Sequence, residues 1–246
     1  MRKIFALLII LLFISCKPLA AKLILGVDTS PEWKSKKSIL EDFDKYQIPA
    51  ENSFILDTVV FSKSTVKKVY ENIEVMKANG VIVDSIIYKK IQKSTNDNLQ
   101  PVQVRYFDQN GSPIFKLVNC YLENIYKMDW NFDKSFDNYP PKTHDELLNF
   151  GNENLDFFLP MFHKLDGSKI TMATLPKRKY YAVILWNDFY RKPSKKLIKL
   201  IQEVEKNNTE TFVFFVNNHN AEIYDLIPDE MKVEYLKKIR NLETVK

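Results

Sequence analysis

The sequence predicts an α/β fold, a mixed sheet with helices on both faces, from three observations. Two runs near the carboxyl end, residues 180–186 and 211–216, are almost entirely apolar, which is typical of strands that are covered on both sides. The segment between them, residues 194–206, has its apolar side chains at helical spacing, so we expect the two strands to be parallel. Upstream, alternating runs at residues 102–107 and 114–122 flank an Asn-Gly pair and predict a hairpin.

The first half of the mature chain predicts alternating strands and helices. Residues 22–27 and 54–61 are apolar runs with strand character. Ser30-Pro31-Glu32 lies between them and is typical of a helix start, with Ser as the cap and Pro in the first turn. The next helix is expected to end at Asn79-Gly80. Residues 81–88 fit either a strand or the start of another helix.

The second half begins with an aromatic segment, residues 128–142, which is rich in Asp and Asn and predicts a surface loop or an interdomain connection. Helical pattern starts again at Thr143 and continues around residues 155–162, with a break at Pro160. We also predict a strand at residues 170–175 and a last helix at residues 229–241.

Length and composition exclude several classes of protein. The 246 residues suffice for two regions, 22–142 and 143–246, or for one continuous domain. Two cysteines, five glycines and three scattered histidines are too few for a disulfide framework, a zinc ribbon or a glycine-rich phosphate loop, so we expect no cofactor and no metal. The net charge of +5 comes from 36 basic and 31 acidic residues that are interspersed, so no nucleic acid partner is expected.

The start of the chain has the features of an export signal. Arg2 and Lys3 precede an apolar run at residues 4–14 that is too short to span a bilayer, so residues 1–15 are predicted to be a signal peptide. The order Leu12-Phe13-Ile14-Ser15-Cys16 resembles the lipobox of bacterial lipoproteins. The resemblance implies an acylated Cys16, a lipidated tether at residues 16–21, and a place in the cell envelope, at the outer membrane facing the periplasm. Cleavage near Ala20-Ala21 is the alternative.

Residues 182–197 resemble the central strand, active-site turn and following helix of the thioredoxin-like superfamily. In that family a Cys-x-x-Cys motif lies at the helix start. The matching positions are Arg191-Lys192-Pro193-Ser194 or, one residue earlier, Tyr190-Arg191-Lys192-Pro193, and neither contains a cysteine. Because disulfide exchange requires two thiols, the resemblance implies a redox-inactive region. Either the hairpin at residues 102–122 completes the sheet from upstream, or the fold is another α/β sandwich.

Two segments contain candidate binding residues. The aromatic segment contributes rings that alternate with Asp and Asn, a combination that suits contacts with protein or sugar, unless the rings fasten the loop to the core. The loop that follows the strand at residues 180–186 is the second candidate. The candidate binding residues of the two segments are Trp130, Phe132, Phe136, Tyr139, Asp188, Tyr190 and Arg191.

Cys120 is the one thiol that remains if Cys16 is acylated. It lies in a predicted strand, where a cysteine is usually a small buried apolar residue.

Together, these observations predict a lipid-anchored envelope protein that acts as a non-catalytic binding or structural module, with the membrane and an envelope protein as its partners. The alternatives are a thiol-dependent oxidoreductase or peroxidase that uses Cys120, a hydrolase, and a toxin-neutralising lipoprotein of the immunity type.

Overall fold

The structure is a computed structural model that describes residues 32–57, 60–122, 128–142, 153–228 and 230–234. Several predictions fall outside these residues: the signal peptide, Cys16 and its tether, the strand at 22–27, the helix start at Thr143, and most of the helix at 229–241. Among the helices that are described, none is both long and apolar enough to cross a membrane.

One six-stranded mixed sheet lies at the centre of the fold. Its strands are β1 Ser53–Leu56, β2 Gln103–Asp108, β3 Pro113–Val118, β4 Phe162–Lys164, β5 Tyr180–Trp186 and β6 Thr211–Asn217. Their order is β3-β2-β5-β6-β1-β4, in which β5, β6 and β1 are parallel while β2, β3 and β4 run antiparallel to their neighbours. Strands from both predicted regions of the chain therefore share one sheet.

Helices cover both faces of the sheet. Their bounds are α1 Lys36–Lys45, α2 Val60–Ala78, α3 Ser85–Asn98, α4 Leu155–Phe158, α5 Arg191–Glu205 and α6 His219–Leu226. On the first face, α1 and α5 pack Phe43 and Leu197 into a core with Ile184 of β5. On the second face, α4 and α6 pack Phe158 and Ala221 into a separate core. The apolar side chains that alternate along β5 thus divide between two cores, which confirms the α/β fold.

The most regular predictions are confirmed. The bounds of β5 coincide with the predicted strand, and α5 connects β5 to β6 as the parallel crossover of a βαβ unit. The hairpin is formed by β2 and β3, with Tyr106 opposite Phe115. The helix α2 ends at Ala78, and Gly80 follows with a φ of 77°, a left-handed conformation that glycine adopts without strain.

The strand predicted at 170–175 is wrong, and the strand predicted at 54–61 is confirmed only for residues 54–56. Residues 170–175 contain a 3-10 turn, Met172–Thr174, and Ile170 and Leu175 are buried residues on either side of it. The predicted strand at 54–61 ends at Leu56, and Asp57 accepts a hydrogen bond from the amide of Val60, the first residue of α2, at 3.0 Å.

Helix boundaries also differ from the prediction. Residues 32–35 are not helical, and Ser35 rather than Ser30 caps α1, accepting from the amide of Ser38 at 3.2 Å. Of the two predictions for residues 81–88, the start of a helix is confirmed. Asp84 caps α3 by accepting hydrogen bonds from the amides of Ile86 and Ile87. The helical pattern at 155–162 divides into α4, a 3-10 turn and β4.

Candidate functional site

Buried polar residues gather at the carboxyl ends of β5 and β6, namely Asn187, Asn217, Asn218 and His219. From β5 the chain turns to α5 on the first face, and from β6 it turns to α6 on the second face. Neighbouring strands whose connections leave to opposite faces open a crevice beyond their carboxyl ends, which is where ligands bind in open α/β sheets. The side chains at this edge are therefore candidates for ligand binding.

A buried asparagine pair fixes the two loops relative to each other. The Asn187 side chain donates to Oδ1 of Asn218 at 2.9 Å and accepts from the amide of Tyr190 at 2.7 Å. Asn218 in turn donates to the carbonyl of Pro101 at 2.8 Å. Both asparagines are almost completely buried, so these bonds are needed to satisfy their amides and they hold the start of α5 in place.

Asp188 is the centre of an ion-pair network. Its carboxylate lies 3.3 Å from Nζ of Lys34, 3.3 Å from Nζ of Lys45 and 4.0 Å from Nε of Arg191. Lys34 also pairs with Asp42 of α1, with 2.5 Å between its Nζ and Oδ2 of the carboxylate. Burial alone would raise the pKa of Asp188, but the positive charges of Lys34 and Lys45 outweigh it and lower the pKa, so this carboxylate is ionised.

Tyr46 closes the network from α1. Its hydroxyl lies 3.5 Å from Oδ1 of Asp188, and its ring packs edge-on against Trp186 with centroids 5.2 Å apart. Burial, followed by the charge of Asp188, raises the pKa of Tyr46 to about 12. The phenol is therefore neutral at physiological pH and is a hydrogen-bond donor.

A basic groove lies beside this network, between α1 and α5. It has a volume of about 310 Å³ and is lined by Lys45, Tyr46, Gln47, Arg191, Lys195, Ile198, Lys199 and Gln202. Gln202 joins the two helices by donating to the carbonyl of Tyr46 at 2.9 Å. Within the described part of the chain, Lys195 and Lys199 form no ion pair. The groove is therefore positively charged.

The start of α5 adds to this positive potential. The first turn contains no acidic residue, and no side chain caps it. Arg191 and Lys192 are there instead, although the partial positive charge of a helix N-terminus disfavours cations. An anion is the species that the positive end of the helix and these positive side chains would stabilise.

Three buried polar atoms at the same strand ends have no hydrogen-bond partner among the described residues: Nε1 of Trp186, Nδ2 of Asn217 and Nδ1 of His219. Trp186 and Asn217 are register partners on β5 and β6, so both side chains lie on the first face, below α1. Nε2 of His219 lies 3.0 Å from the carbonyl oxygen of Glu32, and burial lowers the pKa of the imidazole, so the ring is neutral. Because Nε2 donates its proton to this carbonyl, Nδ1 is an acceptor. Unsatisfied groups of this kind are expected where a ligand or water binds.

The predicted binding residues separate into two groups. Asp188, Tyr190 and Arg191 all lie at this site. The aromatic segment contributes no residue to the lining of the groove. Trp130 is 2% exposed and donates to the carbonyl of Pro193 at 3.0 Å, and Phe136 packs on Phe115. Phe132 lies against the same core, whereas Tyr139 is partly exposed and bonds to Glu205 and Thr211. The rings thus fasten the loop to the core, as the second interpretation of this segment predicts.

The prediction that Cys120 is a buried strand residue is wrong. It lies in the 3-10 turn Asn119–Tyr121 that follows β3, and it is exposed. The strand pattern continues past Val118, but the pairing with β2 does not. Burial, followed by the charge of Asp97 3.7 Å away, raises the pKa of the thiol. Among the described residues there is no cluster of three or more metal-ligating side chains.

The cations that line the groove were not among the predicted binding residues, apart from Arg191. Lys34, Lys45 and the lysines of α5 were not separated from ordinary solvated charges. One signal was available: Arg191, Lys195 and Lys199 recur at intervals of four residues and so share one face of α5. The contribution of α1 had no comparable signal, because it depends on how α1 packs on the sheet.

No protein-family model matches the chain, and no solved structure matches it. Among curated proteins, the chain is similar to the methylenetetrahydrofolate–tRNA-(uracil-5-)-methyltransferase TrmFO of Ligilactobacillus salivarius (strain UCC118), with 25% identity over 156 residues. The similarity covers 56% of this chain and 34% of the enzyme, so the chain spans about a third of the length of this relative. A similarity of this extent does not establish a family.

Proposed function

We propose that this protein is a lipid-anchored, non-catalytic binding module of the bacterial cell envelope, and that its ligand carries an anionic group that binds in the groove between α1 and α5. The observation that carries the proposal is the excess of positive charge there. Lys45, Arg191, Lys195 and Lys199 line the groove. The adjoining ion-pair network adds Lys34 and two carboxylates, Asp42 and Asp188, so the groove and network together have a net charge of +3.

The groove is better suited to an anion than an ordinary charged surface is. Isolated surface lysines bind anions weakly because water screens them. Here two helices form the walls, and Arg191, the first residue of the fifteen-residue helix α5, is among the lining residues, so the positive end of that helix lies beside the groove. A recessed site of one charge sign concentrates the electrostatic potential and attracts ligands of the opposite sign.

The start of α5 also supports a non-redox role. The positions that resemble the redox motif contain Tyr190, Arg191, Lys192 and Pro193, with Ser194 next, and none supplies a thiol. The raised pKa of Cys120 disfavours the thiolate that a peroxidase or disulfide reductase requires. The hairpin of β2 and β3 lies antiparallel beside β5, and this arrangement supports a thioredoxin-like sheet that is completed from upstream.

The anchor part of the proposal is tested separately. We expect metabolic labelling with palmitate to mark the wild-type protein in its native host and not the Cys16→Ala variant, because the lipobox-like segment would make Cys16 the acylated residue. Equal label in both proteins would contradict a lipid anchor without affecting the groove.

The groove is tested with inorganic pyrophosphate as the probe, monitored through backbone amide chemical shifts. We expect shifts at residues 190–195 and at Lys45, and a dissociation constant that weakens by about tenfold when two cations are removed in Lys195→Gln/Lys199→Gln. The matched control is Lys89→Gln/Lys90→Gln, which removes the same charge from exposed positions on α3. Equal weakening in both variants, or shifts elsewhere, would contradict a site in the groove.

A further inference from the structure

The hairpin formed by α2 and α3 concentrates exposed apolar surface. Ten large apolar side chains are exposed among the described residues, and seven of them lie between residues 60 and 98: Val60, Tyr70, Val75, Val81, Ile82, Ile86 and Tyr88. Exposed apolar residues that occur singly are normal, whereas a contiguous group marks a surface that contacts a partner or a membrane.

The apolar residues are most prominent at the tip of the hairpin. Ile82 is 83% exposed and Ile86 is 64% exposed, and Val81 is adjacent. Local backbone features build this tip: the left-handed Gly80 ends α2, and Asp84 caps α3. Neither feature requires an apolar side chain at positions 82 and 86, and neither isoleucine belongs to the core clusters. Packing within the fold therefore does not explain why positions 82 and 86 are apolar.

The hairpin carries an excess of positive charge. The residues from 60 to 98 include seven lysines and four acidic residues, a net charge of +3. At the tip, Lys89 and Lys90 are exposed and lie within one helical turn of Ile86, with Tyr88 beside them, and they outnumber Asp84, while Lys77 pairs with Glu74 at 2.9 Å. Apolar tips with neighbouring lysines and an interfacial tyrosine are typical of surfaces that enter the headgroup region of anionic bilayers.

We propose that the tip of the α2–α3 hairpin, Val81, Ile82 and Ile86 with the lysines around it, inserts into the surface of a bilayer that contains anionic phospholipid. A protein partner is less well suited, because the three apolar side chains of the tip offer much less than the roughly 800 Å² that each side of a stable interface buries. The proposal is compatible with the proposed lipid anchor, since the fifteen residues between Cys16 and Glu32 reach at most about 50 Å. It depends on a different surface from the anion groove.

The test uses the chain from residue 16 with Cys16→Ala, so that no lipid is attached, in co-sedimentation with vesicles. We expect binding to vesicles of phosphatidylethanolamine and phosphatidylglycerol and weak binding to pure phosphatidylcholine. Ile82→Asp/Ile86→Asp should reduce the partition coefficient by about tenfold or more. Met231→Asp/Val233→Asp is the matched control, because both residues are exposed and apolar but lie outside the hairpin. Circular dichroism verifies that each variant is folded.

Three outcomes would overturn the proposal. The first is that the wild-type chain does not bind anionic vesicles. Binding of an envelope protein through Ile82, without binding of vesicles, counts as the same outcome. The second is equal binding of the Ile82→Asp/Ile86→Asp variant and the wild type. The third is loss of vesicle binding in Lys195→Gln/Lys199→Gln, since vesicles would then bind at the groove. Pyrophosphate binding is also measured for the Ile82→Asp/Ile86→Asp variant. If this variant still binds pyrophosphate, a failure of the membrane proposal leaves the proposed anion groove intact.

Discussion

Lys116 of β3 donates a 2.8 Å hydrogen bond to Oδ1 of Asn98 at the end of α3. Arg105 on the neighbouring strand β2 donates to the same oxygen at 2.9 Å. Both cations are buried below α3, and Asp97, Lys93 and Cys120 also face Lys116. Burial, followed by the charge of Arg105, lowers the pKa of Lys116 to about 7. A buried amine beside a buried guanidinium therefore makes folding sensitive to pH.

We predict that the free energy of unfolding rises with pH between about 7 and 8.5. The pKa of Lys116 is lower in the folded chain than its ordinary value of 10.5, so the unfolded chain binds more protons in this range. One proton corresponds to about 1.4 kcal/mol per pH unit at most. Urea denaturation at several pH values measures this slope. Lys116→Met should lose the slope whatever its absolute stability, and an unchanged slope in that variant would assign the pH dependence to another group.

We predict that Trp130→Phe lowers the free energy of unfolding by about 1 to 3 kcal/mol. The indole of Trp130 is buried and donates to the carbonyl of Pro193 in the first turn of α5, so the variant loses this bond and leaves a small cavity. Tyr70→Phe on the exposed side of α2 is the control and should change stability by less than about 0.5 kcal/mol. Similar values for the two variants would show that the aromatic loop does not hold α5.

We predict that Cys120 reacts slowly with disulfide reagents despite its exposure. Burial of its sulfur and the nearby Asp97 raise the pKa of the thiol, so little thiolate is present at pH 7.5. Its rate with Ellman's reagent should be at least about threefold below that of glutathione, and Asp97→Asn should increase it. A rate above that of glutathione would support the thiol-dependent alternative.

The parts of the fold that could be predicted are those with a strong local pattern. The strands β5 and β6 are nearly continuous apolar runs, and α5 has a regular apolar stripe, so the type and the order of these three elements were predicted correctly. Burial without a regular pattern misled the prediction at Ile170 and Leu175, which are buried on either side of a 3-10 turn. An apolar residue indicates burial, and only its spacing indicates the element that buries it.

The candidate site could be predicted only in part. Asp188, Tyr190 and Arg191 follow a recognisable strand, and loops after parallel strands are common binding sites. Lys34 and Asp188, however, are 154 residues apart in the chain. They meet because Phe43 of α1 packs edge-on against Trp186, with ring centroids 5.2 Å apart, and such a tertiary contact leaves no local pattern in the sequence.

Binding of an anion in the groove is tested most directly by the dissociation constant of pyrophosphate for the Asp188→Asn variant, measured by calorimetry beside the wild type. The substitution removes the negative charge that faces Lys34, Lys45 and Arg191 and keeps a side chain of the same shape. We expect pyrophosphate to bind about three- to tenfold more tightly, a gain of about 0.7 to 1.4 kcal/mol. An affinity that is unchanged or weaker in a folded variant would contradict an anionic ligand at this site.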